Sequence, residues 1–160
     1  MDWLTWHDQY DVPGSYLAQR LHVVQERIRL ALDASPPGPL RLISLCSGQG
    51  RDVLEVLAEH PRRDDVRARL VELDPHNTAI ASEAIASHGL DQVEVLTADA
   101  ALTDHYQDLT PADIVLVCGV FGNITDEDIE RTIDTCPPSC APPTAWSSGP
   151  ATARLPTGCR

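Results

Sequence analysis

The sequence predicts the α/β class: a parallel sheet of about four strands with helices on both faces. Three observations carry that expectation. Short apolar runs alternate along the chain with segments of helical period. One run, Ala112–Cys118 (A-D-I-V-L-V-C), is apolar and β-branched, as in a strand buried on both faces. Turn-forming or acidic residues follow each run, in the loops Cys46–Arg51, Asp74–Asn77, Ala98–Ala101 and Cys118–Asn123. A parallel sheet gathers such loops beyond the carboxyl ends of its strands, where α/β proteins hold ligands.

In chain order, Trp3, Trp6, His7 and Tyr10 are spaced as one helical stripe, either packed on the body or laid over a small-molecule pocket. A helix begins after Pro13-Gly14 with Ser15 as N-cap, and Leu17, Leu21, Val24, Ile28 and Leu32 carry its apolar face as far as Asp33. Arg20, Glu26, Arg27 and Arg29 read as its solvated face. S-P-P-G-P at Ser35–Pro39 breaks the chain before a strand at Leu40–Leu45. The glycines Gly48 and Gly50 then lead into a helix at Asp52–Glu59. A strand at Arg67–Leu73 ends in E-L-D-P-H-N. Pro75 suits the first turn of the next helix, which runs to about Ser87 and closes at His88-Gly89. Val93, Val95 and Leu96 give a third strand, Ala112–Cys118 the fourth, and Thr125 caps a last helix.

The 160 residues suit one domain with a core of its own. All 12 basic residues are arginine, and the formal net charge of −12 disfavours a phosphate-tracking surface, so nucleic acid is not an expected partner. M-D-W-L-T-W-H-D is no secretory leader and no apolar run reaches membrane-spanning length, which leaves the cytoplasm as the expected setting. Five cysteines show neither a disulfide framework nor metal-ligand spacing, so no metal is expected. The organisation expected is a domain over residues 1–135, with an N-terminal helical segment over 1–35, and an irregular tail over 136–160. That tail holds six of the 13 prolines, three of the five cysteines and no acid. GC-rich codons exist for Thr135–Pro150 that, shifted by one nucleotide, encode L-P-A-Q-L-R-A-P-D-G-V-V-I-W-T, so the tail is expected to be out of frame.

L-I-S-L-C-S-G-Q-G-R-D at Leu42–Asp52 is the stretch with the most chemistry. Its glycines allow positive φ and close approach of a ligand to the main chain, and the helix that follows offers free N–H groups. With V-E-L-D at Val71–Asp74, V-L-T-A-D-A ending in Asp99 and Ala100, and A-D-I-V-L-V-C-G-V-F-G-N ending at Asn123, it resembles the class I S-adenosylmethionine-dependent methyltransferase family, whose fold is Rossmann-like. The resemblance covers roughly Leu40–Thr135. It implies S-adenosyl-L-methionine as cofactor, with Cys46, Ser47, Gly48, Gln49 and Gly50 beside its methionine part and Asp74, followed by Pro75, on the ribose hydroxyls. It places Asp99 and Ala100 against adenine, with Cys118, Gly119 and Val120 lining the cofactor floor and facing substrate. Where the family often has an acid and a glycine, this chain has Ser44 and Cys46. The family's sheet normally has seven strands, so the resemblance implies a C-terminally truncated or frameshifted member, with poor stability or lost activity among the expectations.

Methyl transfer needs alignment and exclusion of water more than a fixed acid–base pair, so no catalytic residue is assigned. His7, Tyr10 and His76 are candidate bases, and Tyr10, His7 and Asn123 are candidate substrate contacts. The acceptor expected is a small molecule or a protein. Two alternatives stand beside this reading. A nicotinamide-dependent oxidoreductase would use a similar strand–glycine–helix unit, although G-Q-G-R-D-V lacks the third small residue of G-x-G-x-x-G. A non-catalytic cofactor-binding remnant would follow from the missing strands.

Overall fold

The computed structural model describes residues 8–122 and 124–135. Four strands, β1 (Leu40–Leu45), β2 (Val66–Glu72), β3 (Val93–Thr97) and β4 (Ile114–Val117), form one parallel sheet in the order β3-β2-β1-β4. The helices are α1 (Tyr16–Ala34), α2 (Arg51–Glu59), α3 (Pro75–His88) and α4 (Asp126–Thr135). The Rossmann-like α/β expectation therefore holds.

Local chemistry sets most of the boundaries. The Ser15 hydroxyl accepts from the Ala18 N–H at 3.0 Å and starts α1. Asp74 caps α3 by accepting from the His76 N–H at 2.8 Å, Pro75 occupies the first turn, and Gly89 ends the helix in the left-handed region. The Thr125 hydroxyl accepts from the Asp128 N–H at 3.2 Å ahead of α4. Arg62 joins two layers. Its guanidinium donates to the carbonyls of Leu32, Ser35, Pro36 and Gly38, which closes the end of α1 and the proline-rich bend together.

Alternate residues of each strand feed two cores. On one face Leu42, Leu70, Ile114 and Leu116 pack against Val24, Ile28 and Leu32 of α1, Val53, Leu54 and Leu57 of α2, and Ala81 of α3. On the other face Ile43, Leu45, Val71 and Val117 meet Tyr106, Leu109 and Ala112. That second cover comes from the β3–β4 connection, built of two short 3-10 turns (Thr103–His105 and Gln107–Leu109) that carry no readable period in the sequence. The strand order reverses direction after β3, and a right-handed crossover to β4 then has to pass over that face.

β4 is shorter than the apolar run. Asp113 serves as a clasp at its start, its carboxylate accepting from the Arg41 N–H at 2.7 Å while its own N–H donates to the Arg41 carbonyl. At the other end Leu45 pairs with both Val71 and Val117, so the tips of β1, β2 and β4 finish level. Trp3, Trp6, His7, Asn123 and the tail 136–160, on which expectations were placed, lie outside the described residues. Tyr10 lies in a single 3-10 turn, Asp8–Asp11.

Candidate functional site

The level tips open into a cleft of about 480 Å³ where the strand order reverses, between β1 and β4. The β1–α2 loop forms its floor, and the geometry there is demanding. Gly48, Gly50 and Gly119 all have positive φ, and so does Cys46 at +51°. At Gly50 a side chain is also excluded by space, since a Cβ would lie 2.6 Å from Leu70 Cδ2 and 3.1 Å from Leu54 Cδ1. The loop is pinned by Ser47 N–H donating to the Val71 carbonyl and Gly50 N–H to the Ser47 carbonyl.

Glu72 is the acid at the tip of β2. Its Oε2 accepts from the Gly48 N–H at 2.7 Å and its Oε1 from the Asp74 N–H at 3.0 Å. One carboxylate thus ties the glycine loop to the β2–α3 turn and still faces the cleft. Asp74 lines the cleft as well, with one oxygen engaged as the α3 cap. Beside them Leu73 is 71% exposed, an apolar side chain left open at the cleft wall.

Two polar atoms in this wall lack hydrogen-bond partners. Among the described residues, the buried Ser47 Oγ and Asn77 Oδ1 both stand unpartnered, and Asn77 is only 6% exposed. A buried amide without a partner is costly, and both atoms belong to residues that line the cleft.

The opposite wall comes from α1 and the turn Asp8–Asp11. Arg51 holds that turn in place: its guanidinium makes a bidentate pair with Asp11 at 2.7 and 3.2 Å, and lies 5.8 Å from the centre of the Tyr10 ring. Its Nε donates to Gln49 at 3.0 Å. The Arg51 bond holds the Asp11 carboxyl below its ordinary range, and desolvation raises the Tyr10 phenol. Arg20, expected on a solvated face, instead lines the cleft half-buried, with its guanidinium against Gly119. Asp52 lines the same region, and burial pushes its carboxyl up to about 6.

Cys46, Ser47, Gly48, Gln49, Gly50, Asp74, Cys118, Gly119, Val120 and Tyr10 therefore meet around one space. Pro75 sits just outside it on the first turn of α3. Asp99 and Ala100, at the tip of β3, are one strand beyond the lining. The Asp99 carboxylate accepts from the Ala101 N–H at 2.9 Å, and the Ala100 carbonyl accepts from the Tyr106 hydroxyl. Loss of water around the Cys46 sulfur, followed by the charges of Glu72 and Asp99, raises its thiol pKa. His76 is exposed on α3 and does not line the cleft. Glu72, Leu73, Asn77, Arg20 and Asp52 are among the lining residues that sequence reasoning did not assign. Among the described residues no group of His, Cys, Asp and Glu could hold a metal ion, and no helix is long and apolar enough to cross a membrane.

Solved structures with this fold include a precorrin-6y C5,15-methyltransferase from Geobacter metallireducens, 17% identical with a TM-score of 0.54 over 78% of this chain and 57% of that one. A SAM-dependent methyltransferase from Geobacter sulfurreducens, solved with S-adenosyl-L-homocysteine, is 20% identical with a TM-score of 0.54 over 73% of this chain and 45% of that one. An rRNA methylase from Streptococcus thermophilus is 16% identical with a TM-score of 0.53 over 72% and 63%. The chain thus spans less than two thirds of each of these proteins. No curated protein sequence matches it. The family described as "Putative methyltransferase" matches residues 16–135, most of the described chain: the protein belongs to this methyltransferase family.

Proposed function

We propose that the cleft binds S-adenosyl-L-methionine and that the protein transfers its methyl group to a small-molecule or protein acceptor. The observation that carries this reading is the wall at the tip of β2. There a carboxylate with unused acceptor positions (Glu72), a second at Asp74 and an open apolar side chain (Leu73) line one space, and Ser47 and Asn77, whose buried Oγ and Oδ1 have no partner among the described residues, belong to the same wall. A nucleoside offers what these groups lack: sugar hydroxyls to donate to the carboxylates, and a flat base to cover the leucine. Each carboxylate oxygen accepts more than one hydrogen bond, so Glu72 can hold the loop and a ligand hydroxyl together. S-adenosyl-L-methionine would supply an electrophilic methyl on a sulfonium.

The chain's part is to orient and to exclude water. Cys46, Ser47, Gly48, Gln49 and Gly50 present backbone to the methionine portion, while Cys118, Gly119 and Val120 form the floor on which an acceptor would rest. Glu72 takes over the sugar role from Asp74, which is already engaged as a helix cap. Pro75 fixes the turn behind them. Asp99 and Ala100 would meet the base where it extends past Leu73. Tyr10, held by Arg51, closes the remaining side. A net charge of −12 favours an acceptor that is not a polyanion. The unit carrying this function is residues 1–135, with 136–160 outside it.

Isothermal calorimetry with S-adenosyl-L-methionine, S-adenosyl-L-homocysteine and NAD tests the reading. Binding of the first two without NAD supports it, and binding of NAD alone or of none of the three refutes it.

A further inference from the structure

We propose that two copies of the chain join through the outer edge of β4 and the flank of α1 beside it. The two four-stranded sheets then continue as one of eight strands. The residues that meet do not line the cleft, so the association is independent of what binds there.

The sheet has two edges, β3 and β4, and they are built differently. β3 carries exposed Glu94 and Thr97, polar residues of the kind that keep an edge from pairing. β4 is I-V-L-V, with Ile114 and Leu116 buried on one face of the sheet and Val117 on the other. Among the described residues no strand pairs with its outer side. The Asp113 N–H donates to the Arg41 carbonyl of β1, so by alternation Val115 and Val117 also turn their backbone groups toward β1. Ile114 and Leu116 therefore point N–H and C=O outward. That suits an antiparallel pair with Ile114 of one copy opposite Leu116 of the other and Val115 on the two-fold axis.

α1 extends this edge. Gln25 donates to the Arg51 carbonyl and to Glu55 of α2, and Arg20 lies against Gly119 just past β4. One flank of α1 thus faces α2 and the other faces the open edge. Seven large apolar side chains are exposed among the described residues, and three of them, Tyr16, Val23 and Leu30, repeat at seven-residue steps. All three fall within about 80° of Arg20 around the helix, on the side away from α2. Glu26 and Arg27, also exposed, border this ridge.

A two-fold axis through Val115, perpendicular to the sheet, keeps both copies of α1 on one face, antiparallel and side by side. A helix seated over β1 and β4 lies about one strand spacing from that axis, so the two helices come about 10 Å apart, a helix-packing distance. Arg20 fixes the level of the axis. Val115 lies four residues, about 13 Å, before Gly119. The Arg20 side chain points toward the helix N-terminus and covers about 4 Å of that, and the remaining ~9 Å is about six residues of α1. The axis therefore passes between Glu26 and Arg27, and Glu26 of each copy faces Arg27 of the other. Val23 then meets Leu30, and Tyr16 meets the exposed Pro36 and Pro37 of the bend. The seam is complementary to itself in charge and in apolar contact, which is what favours a second copy over an unrelated partner. With 19 residues of helix and four of strand it belongs at the small end of stable interfaces, roughly 1,200 Å² in total, so a micromolar dimer is expected. The two β4 tips point opposite ways, which leaves both clefts open.

Sedimentation velocity of the full-length chain from about 1 to 100 μM, in about 0.15 M salt to screen its net charge of −12, tests this. A reversible shift from one chain mass to two is expected. Glu26→Arg should weaken association by about tenfold or more, and adding Arg27→Glu should return it to within about threefold of the wild type. Amide exchange read residue by residue should slow by about tenfold at Ile114 and Leu116 at the higher concentration, while Val115, already turned to β1, changes less. Both substituted positions are exposed on α1, and thermal melts check that the variants fold. A chain that stays monomeric overturns the pairing, and so does an association that Glu26→Arg leaves intact or that the second change fails to restore. Ile114 and Leu116 amides already protected in dilute solution also overturn it, since the chain's own remaining residues would then cover the edge.

Discussion

Replacing Gly50 by alanine places a methyl group where the β1–α2 loop has neither the backbone freedom nor the space for it. The residue sits at φ +70°, and the left-handed region costs a residue with a side chain about 1–2 kcal/mol. The new Cβ would start 2.6 Å from Leu70 Cδ2 and 3.1 Å from Leu54 Cδ1. Both leucines are almost fully buried, at 0% and 1% exposure, so their tips move only by disturbing the packed helical face of the sheet. Overpacking of this sort costs about 1–3 kcal/mol. Alanine restricts the unfolded chain and returns about 0.4–1 kcal/mol. The net expectation is a loss of about 2–4 kcal/mol, read as a shift of the urea midpoint at unchanged slope. Gly89→Ala is the matched control. It has a similar φ of +59°, but its nearest neighbour would be Arg63 Nη2 at 3.9 Å, so its loss should be about 1 kcal/mol. If the two variants unfold at the same midpoint, the leucine tips give way freely and the crowding argument at Gly50 is wrong.

Other expectations follow from neighbouring residues. Glu72→Gln should weaken S-adenosyl-L-homocysteine binding by about 1–3 kcal/mol, and by more than Asp74→Asn does; the reverse order in calorimetry would return the sugar to Asp74. Asp52→Asn should stabilise the protein by about 1–3 kcal/mol at pH 7, because a carboxyl raised to about 6 in the folded state leaves folding less favourable as pH rises from 4 to 6. That gain should fade as urea titrations are moved down to pH 4, and a gain that grows toward acid would contradict the burial. At Cys46, with φ +51°, glycine should be tolerated to within about 1 kcal/mol, whereas valine should cost about 1–2 kcal/mol more than glycine in the same denaturation assay. The raised Cys46 thiol should also alkylate more slowly at pH 7.5 than free cysteine, measured in a variant lacking the other four cysteines. Arg62→Lys should recover less than half of the loss caused by Arg62→Ala, since a three-donor ammonium cannot reach the four carbonyls that the planar guanidinium serves.

What the sequence revealed, it revealed through local chemistry. Ser15, Pro75, Gly89 and Thr125 mark helix ends because each acts on the backbone within a few residues. β1 is bounded as expected because the breaker at Ser35–Pro39 and the glycines after Leu45 lie next to it in the chain. The end of β2 was less legible. Apolar Leu73 reads as a strand residue, but the strand stops at Glu72, where pairing with Thr97 of β3 ends. That shift by one residue makes Glu72, rather than Asp74, the acid at the strand tip. Arg20 was misplaced for a related reason. The helical period of α1 shows which residues are apolar, but not that the tip of β4 lies against the remaining face. The β3–β4 connection escaped because Tyr106 and Leu109 are brought to the sheet by 3-10 turns, which have no amphipathic period to detect.

The pairing of Arg51 with Asp11 joins the N-terminal turn to the first residue of α2 at the rim of the cleft. Asp11 is 68% exposed, so the pair stands open to solvent and weakens as salt screens it. Raising ionic strength should therefore loosen the tie between the Tyr10-bearing turn and α2 and speed ligand dissociation by a few-fold at most. The glycine loop beneath is held by main-chain bonds and by the Glu72 carboxylate, so its shape should change little over the same range of salt.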